Sequence, residues 1–291
     1  MKVARSIEEL RSLRPGLAAP VGFVPTMGYL HDGHLSLIRA AKRGCQSVVA
    51  SIFVNPTQFA PTEDLTSYPR DLDRDLRMLE SEGTDLVFAP ADAEEIYPVD
   101  FSTWVLPEGI TARLEGAARP THFRGVATVV GILFHLIEPQ SAFFGQKDAQ
   151  QALVIARMIR DLHFDVDLHV EPTVREADGL AMSSRNTYLN AAERAAAPVL
   201  RRSLDLAESL WTQGERDTEA LRTAMRELLA GEPLVFPEYV SIADPRTLDE
   251  LDTVGTKALV SLAARLGRTR LIDNTVLPPG TPLIEREAEC S

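Results

Sequence analysis

Two histidines three residues apart, His31 and His34, lie in the stretch Pro25-Thr26-Met27-Gly28-Tyr29-Leu30-His31-Asp32-Gly33-His34. Imidazole and backbone N–H groups donate hydrogen bonds to anions, and glycine lets main chain approach a ligand closely or take positive φ. An apolar run, residues 21–24, precedes the stretch, and a helix-like pattern, residues 35–43, follows it. The geometry implied is strand, tight turn, helix start. The unpaired N–H groups of a first helical turn and the helix dipole favour a phosphate there. The same two rings also fit half a metal site, although no further His-Cys cluster stands nearby, or a pair that only caps the helix. Alone, the stretch supports a nucleotide or phosphate site and leaves the reaction open.

Three further stretches carry polar groups where an apolar run ends. Residues 47–54 run into Asn55-Pro56-Thr57-Gln58-Phe59, whose Asn55 and Gln58 serve either a ligand or a turn. Residues 141–144 run into Gly145-Gln146-Lys147-Asp148, repeating the first junction with a lysine able to reach a phosphate as a point charge. Thr173, Val174, Arg175 and Asp178-Gly179 lead to Ala181-Met182-Ser183-Ser184-Arg185-Asn186, where two hydroxyls beside a guanidinium suit a mobile phosphate clamp. Ser184 or Asn186 capping a turn is the plainer account of that stretch. Asp71, Asp73 and Asp75 open a helical pattern, either as a solvated face that complements the dipole or with one of them contacting magnesium.

The elements that must position these groups are legible as patterns. Ser6 and Glu9 form a capping-box signature for a short helix ahead of the first strand. Strand-like runs at 47–54, 85–89, 141–144 and 165–170 alternate with helical patterns within 65–82 and at 126–136 and 149–162. With the first junction, strand and helix alternate about five times, which predicts an α/β, Rossmann-like doubly wound, mostly parallel sheet. Its ligand end is the C-terminal end of the strands. A loop over residues 115–125, dense in Gly, Pro and cations, feeds the helix at 126–136. Helices near 191–211 and 217–229, then strands at 239–243, 258–263 and 269–273, predict a smaller α+β domain with a short antiparallel sheet. The boundary falls at residues 1–173 and 174–291.

The 291 residues are 45% hydrophobic and 25% charged, ordinary for a soluble globular chain. A formal net charge of -12 argues against a nucleic-acid partner or an anionic membrane surface, so any anionic ligand must meet a local cluster of cations. Cys45 and Cys290 give no disulfide framework, which fits a reducing cytosol. Residues 1–14 lack a signal-peptide core, and the longest apolar run, 126–137, is too short to span a bilayer and contains His135. A cytoplasmic enzyme or binding protein is expected.

The four junctions in this order resemble the pantothenate synthetase (pantoate–β-alanine ligase) family over essentially the whole chain, with Gln150 and Gln151, Arg119-Pro120-Thr121-His122-Phe123 and Arg270-Leu271-Ile272-Asp273-Asn274. The resemblance implies that ATP, pantoate and β-alanine give pantothenate, AMP and pyrophosphate through a pantoyl-adenylate. His31 and His34 resemble the paired histidines of a HIGH-type nucleotidyltransferase motif. Lys147 resembles the phosphate-contacting lysine, with Gly145 and Asp148 beside the ribose, and Ser183, Ser184 and Arg185 match the loop that plays the KMSKS part. His31, His34, Lys147 and Arg185 are thereby implied as catalytic, and Pro25, Met27, Gly33, Val174 and Met182 as further ATP contacts. Gln58 and Gln151, with Thr26 and Met27, are implied to hold pantoate. Asp75 is implied on the magnesium side, with Arg74 where a second acid can occur. The resemblance also implies Mg²⁺ with ATP, a homodimer, and a lid role for residues 174–291. Two rivals share these residues. One is a nucleotidyltransferase acting on a phosphorylated acceptor, which would want cations where Gln58 and Gln151 stand, and the other a non-catalytic nucleotide sensor.

Overall fold

The computed structural model describes residues 1–60 and 63–285, so Cys290 lies outside the described residues. The chain packs as two compact units, Met1–Gly145 with Gln150–Glu171, and Gln146–Ala149 with Pro172–Ser291.

The first unit is a six-stranded parallel sheet. In chain order its elements are β1 (Lys2–Ala4), α1 (Ile7–Leu13), β2 (Val21–Thr26), α2 (Asp32–Gly44), β3 (Ser47–Ile52), α3 (Leu72–Ser81), β4 (Leu86–Phe88), α4 (Glu115–Ala118), α5 (His122–Ile137), β5 (Ser141–Gly145), α6 (Ala149–Asp161) and β6 (Asp167–Glu171). The strand order is β1-β4-β3-β2-β5-β6. The chain therefore winds outward from β2 through β3 to β4, then crosses back to lay β5 on the other side of β2. That reversal creates a crevice beyond the C-terminal ends of β2 and β5, the place where such sheets bind ligands. Burial on both faces explains the near-continuous apolar strands: Phe23, Val24, Val48, Val49 and Ala50 are wholly buried. Val24, Ile38, Ala41, Leu79 and Phe143 share one core cluster, which seats α2 and α3 against the sheet. A fold of doubly wound type was the expectation, and the sheet is parallel throughout.

One expectation fails at the N-terminus. A strand, β1, precedes the first helix, pairing Val3 with Val87 of β4. Three residues are too few to show alternation, so only the partner strand reveals them. Ser6 does cap α1, accepting from Glu9 N–H at 3.1 Å.

In the second unit, α7 (Ala191–Ala196), α8 (Val199–Thr212) and α9 (Thr218–Ala230) accompany an antiparallel sheet of β7 (Val235–Ala243), β8 (Ala258–Leu266) and β9 (Thr269–Leu277) in the order β7-β8-β9. The helical run expected at 191–211 is broken at Pro198, which lacks an N–H and excludes the preceding turn's carbonyl. Leu200, Leu204, Leu221, Met225, Val260 and Leu262 fill the core between helices and sheet. β7 begins four residues earlier than expected because a register shift between Pro237 and Tyr239 accommodates the proline inside the strand.

Candidate active site

The turn after β2 is shaped by one buried carboxylate. Gly28 has φ +81 and Tyr29 φ +50, the left-handed region that costs a tyrosine energy unless its surroundings impose it. Asp75, on α3 and 1% exposed, imposes it: its Oδ2 accepts from Tyr29 N–H at 2.7 Å and its Oδ1 from Leu30 N–H at 2.8 Å. A Cβ at residue 28 would sit 3.0 Å from Asp75 Oδ2 and Ile52 Cγ2 on a backbone of positive φ, so any side chain there is strained. Burial pushes the Asp75 carboxyl above its ordinary pKa, with the two amides and Arg74 pulling the other way. The Asp75 carboxylate, expected on the magnesium side, is turned to the backbone in this structure. Both oxygens hold amide protons, Arg74 Nη1 lies 3.5 Å from Oδ1, and no group of three or more His, Cys, Asp or Glu suited to a metal occurs among the described residues.

Immediately after that clasp, His31 becomes the N-cap of α2. Its Nδ1 accepts from Gly33 N–H at 3.1 Å, while His34 Nδ1 accepts from His31 N–H at 3.3 Å, a reciprocal capping box built from imidazoles. The rings lie 4.1 Å apart. An accepting Nδ1 leaves the proton of a neutral ring on Nε2, the tautomer that donates to an anion. Capping and anion contact are therefore compatible: the backbone fixes which nitrogen each ring presents.

β3 ends beside this turn, pairing Ile52 with Thr26. Asn55 (1% exposed) caps the short turn Pro56–Gln58 and donates from Nδ2 to Gln58 Oε1 and to Gly125 O, both at 3.1 Å. Gln58, 7% exposed, then meets the Met27 sulfur through its Nε2 at 2.7 Å. Two residues expected at one substrate thus touch. Thr26 spends its hydroxyl on Ser51 O (2.7 Å), so it lines the turn with backbone. Pro25 and Gly33 belong to the same strand-turn-helix segment, and Gly145 ends the neighbouring strand β5. Gln150 is not a ligand group: its amide joins Glu115 N–H, Ile110 O and Arg113 O at 2.8–2.9 Å. Gln151, next to it on α6, is half-buried.

The second unit carries the remaining expected residues. Lys147 and Asp148 lie in a tight turn with Nζ and Oδ1 3.9 Å apart. Residues 174–182 form a hairpin in which Arg175 pairs with Ala181 and Met182 N–H returns to Val174 O at 3.0 Å. Ser183 then caps the turn Ser184–Tyr188, its hydroxyl accepting from Arg185 N–H at 3.3 Å. The cap is Ser183 and not the expected Ser184 or Asn186, because Ser184 already lies inside the turn and Asn186 ties the hairpin through Glu176 and Ala181 O.

The family model for pantoate-beta-alanine ligase matches residues 2–276. The chain belongs to the pantoate-beta-alanine ligase family. A pantothenate synthetase of Herpetosiphon aurantiacus is 59% identical over 278 residues, covering 95% of this chain and 100% of that protein. One of Chloroflexus aurantiacus is 56% identical, covering 95% and 98%. Among solved structures, the Thermus thermophilus pantothenate synthetase superposes with a TM-score of 0.90 at 49% identity, covering 94% of this chain and 98% of that one. A Francisella tularensis pantoate-beta-alanine ligase, solved with beta-gamma ATP and beta-alanine, gives 0.79 at 32% identity, covering 96% and 99%.

Within this ligase fold the sequence patterns left a network unread. Arg119 binds Glu63 through Nε and Nη2 (2.5 and 2.7 Å) and donates to Gln58 O at 3.2 Å. His122 Nδ1 also donates to Gln58 O (2.9 Å), and its Nε2 accepts from Arg119 Nη1 at 3.3 Å. Gly125 follows because a Cβ there would sit 2.6 Å from Thr57 O. Arg119 and His122, from the cation-rich stretch, lock the main chain of Gln58. Burial and the Arg119 charge push His122 down to about 4 from an ordinary 6.5. The unfolded chain therefore takes up this proton first, and stability is lost as pH falls from 6.5 toward 4, by roughly 3 kcal/mol at the acid end. Thermal melts at pH 7 and pH 4.5 check this. His122→Asn is expected to lose less of its Tm in acid than the parent, and equal losses would rule the ring out as the source.

Proposed function

We propose that this chain condenses pantoate with β-alanine at the expense of ATP, forming pantothenate, AMP and pyrophosphate through pantoyl-adenylate. The observation that carries the mechanism is the reciprocal cap at the start of α2, which holds two imidazoles as donors on the turn whose Met27 contacts Gln58. In the first step a pantoate carboxylate oxygen attacks the α-phosphorus, the bond to the β-phosphate oxygen breaks, and pyrophosphate leaves with its electron pair. Negative charge grows on the non-bridging and leaving oxygens. Donors fixed before reaction stabilise that charge more than they stabilise bound ATP. His31, His34, the amides at the start of α2, Lys147 and Arg185 are assigned to it. In the second step the β-alanine amine attacks the acyl carbon, AMP leaves, and the amine gives up a proton.

Gln58 and Gln151, with Met27 and the Thr26 backbone, are assigned to pantoate. Neutral amides suit its hydroxyls and carboxylate, whereas a phosphorylated acceptor would call for cations. Pro25, Gly33, Gly145, Asp148, Val174, Met182, Ser183 and Ser184 are assigned to ATP. Residues 1–173 are read as the catalytic domain and 174–291 as the lid. Magnesium belongs to this reading as a counter-ion that would come with ATP and neutralise phosphate charge; the Asp75 carboxylate already accepts two amides. A homodimer in the cytoplasm completes it, supported by the family likeness.

Product analysis tests the reaction. With ATP, pantoate and β-alanine, AMP and pyrophosphate are expected in equal amounts with pantothenate. ADP and phosphate as products, or nucleotide binding without turnover, would refute it.

A further inference from the structure

Asp273 and Asn274, neighbours on β9, are 2% and 4% exposed, and both are spent on segments that the proposed reaction uses. Successive strand residues point to opposite faces, so the dipeptide reaches two separate pieces of chain. Asn274 Nδ2 donates to Gln146 O and Lys147 O, both at 2.9 Å, and its Oδ1 accepts from Gln146 Nε2 at 3.3 Å. Asp273 takes the Arg175 guanidinium on both oxygens, at 2.7 and 3.0 Å. Arg175 also donates to Gly179 O at 3.0 Å, closing the hairpin of residues 174–182 that leads into Ser183. Asn274 N–H donates to Asp273 Oδ1 at 2.8 Å, joining the two halves. An apolar pair would fill a strand interior at less desolvation cost than a buried carboxylate and amide.

We propose that Asp273 and Asn274 are positioning residues, Asn274 setting the main chain from which Lys147 projects and Asp273, through Arg175, setting the hairpin ahead of Ser183-Ser184-Arg185. The inference rests on the reading that Lys147 meets the phosphates of ATP. A displacement of about 1 Å in a preorganised group can cost about 10²-fold in rate. Asn274→Ala therefore lowers kcat for pantoate-dependent ATP–pyrophosphate exchange by about 10- to 10²-fold.

The test is a double-mutant cycle with Lys147→Ala, with Thr275→Ala as a control. Thr275 follows on the same strand and bonds Glu208 at 2.6 Å instead. In the Lys147→Ala background, Asn274→Ala is expected to cost less than about threefold, because the group it positions is gone. Thr275→Ala should leave exchange unchanged at a similar loss of Tm. Asn274→Asp keeps the volume but cannot donate to two carbonyls, and it gives the same cycle should the alanine variant not fold. Multiplicative losses alongside a slow Lys147→Ala, or an equal loss in the Thr275 control, would overturn the inference alone. Unchanged exchange in Lys147→Ala would overturn the assignment of that lysine, and the inference with it.

Discussion

His34→Ala and Lys147→Ala each slow pantoate-dependent ATP–pyrophosphate exchange by about 10²–10³-fold, the usual cost of a preorganised donor to developing charge. The fall is in kcat more than in KM for ATP, because the contact strengthens as charge moves onto the phosphate oxygens. Synthetic pantoyl-adenylate with β-alanine bypasses that step, and the second half-reaction suffers much less. His34 has a second duty, since its Nδ1 accepts His31 N–H at 3.3 Å. His34→Asn keeps an acceptor near that amide and separates the two duties. Recovery of exchange in the asparagine variant would make the ring a helix cap only. Equal losses in both half-reactions would show that these side chains hold adenylate generally.

Asp75→Ala leaves the amides of Tyr29 and Leu30 without their acceptor. Each buried unsatisfied group costs about 1–3 kcal/mol, so a loss of roughly 2–6 kcal/mol in stability is expected. Tyr29 then has no reason to keep φ +50, and the turn that starts α2 shifts. The histidines shift with it, so exchange falls by about 10²-fold even where the protein remains folded. Asp75→Asn retains one acceptor and falls between the two. Its surviving activity is expected to show an unchanged dependence on magnesium concentration. A stable Asp75→Asn variant demanding far more magnesium would restore this carboxylate as a metal ligand.

The carboxylate illustrates what the sequence could and could not tell. Alternating apolar runs and helical spacing announced a doubly wound sheet, because burial on both faces forces β-branched strands whatever their order. The ligand end was legible for the same reason: polar residues at 25–34 and 55–58 follow directly on those strands. Partners were not. Asp75 is 46 residues from Tyr29 in sequence, Arg119 56 residues from Glu63 and Asn274 127 residues from Lys147. Nothing local distinguishes an aspartate in a first helical turn that faces solvent from one that clasps a loop. The capping role of His31 was legible as one of three readings, and only the backbone geometry shows that it fixes the tautomer rather than competing with phosphate contact. β1 escaped notice because its structure comes wholly from pairing with β4.

Exchange of labelled pyrophosphate into ATP, with pantoate present and β-alanine absent, tests stepwise adenylation most directly. Label is expected to enter ATP only when pantoate and magnesium are supplied, since attack on the α-phosphorus is reversible before the amine arrives. Exchange without pantoate, or none until β-alanine is added, would contradict a separate pantoyl-adenylate.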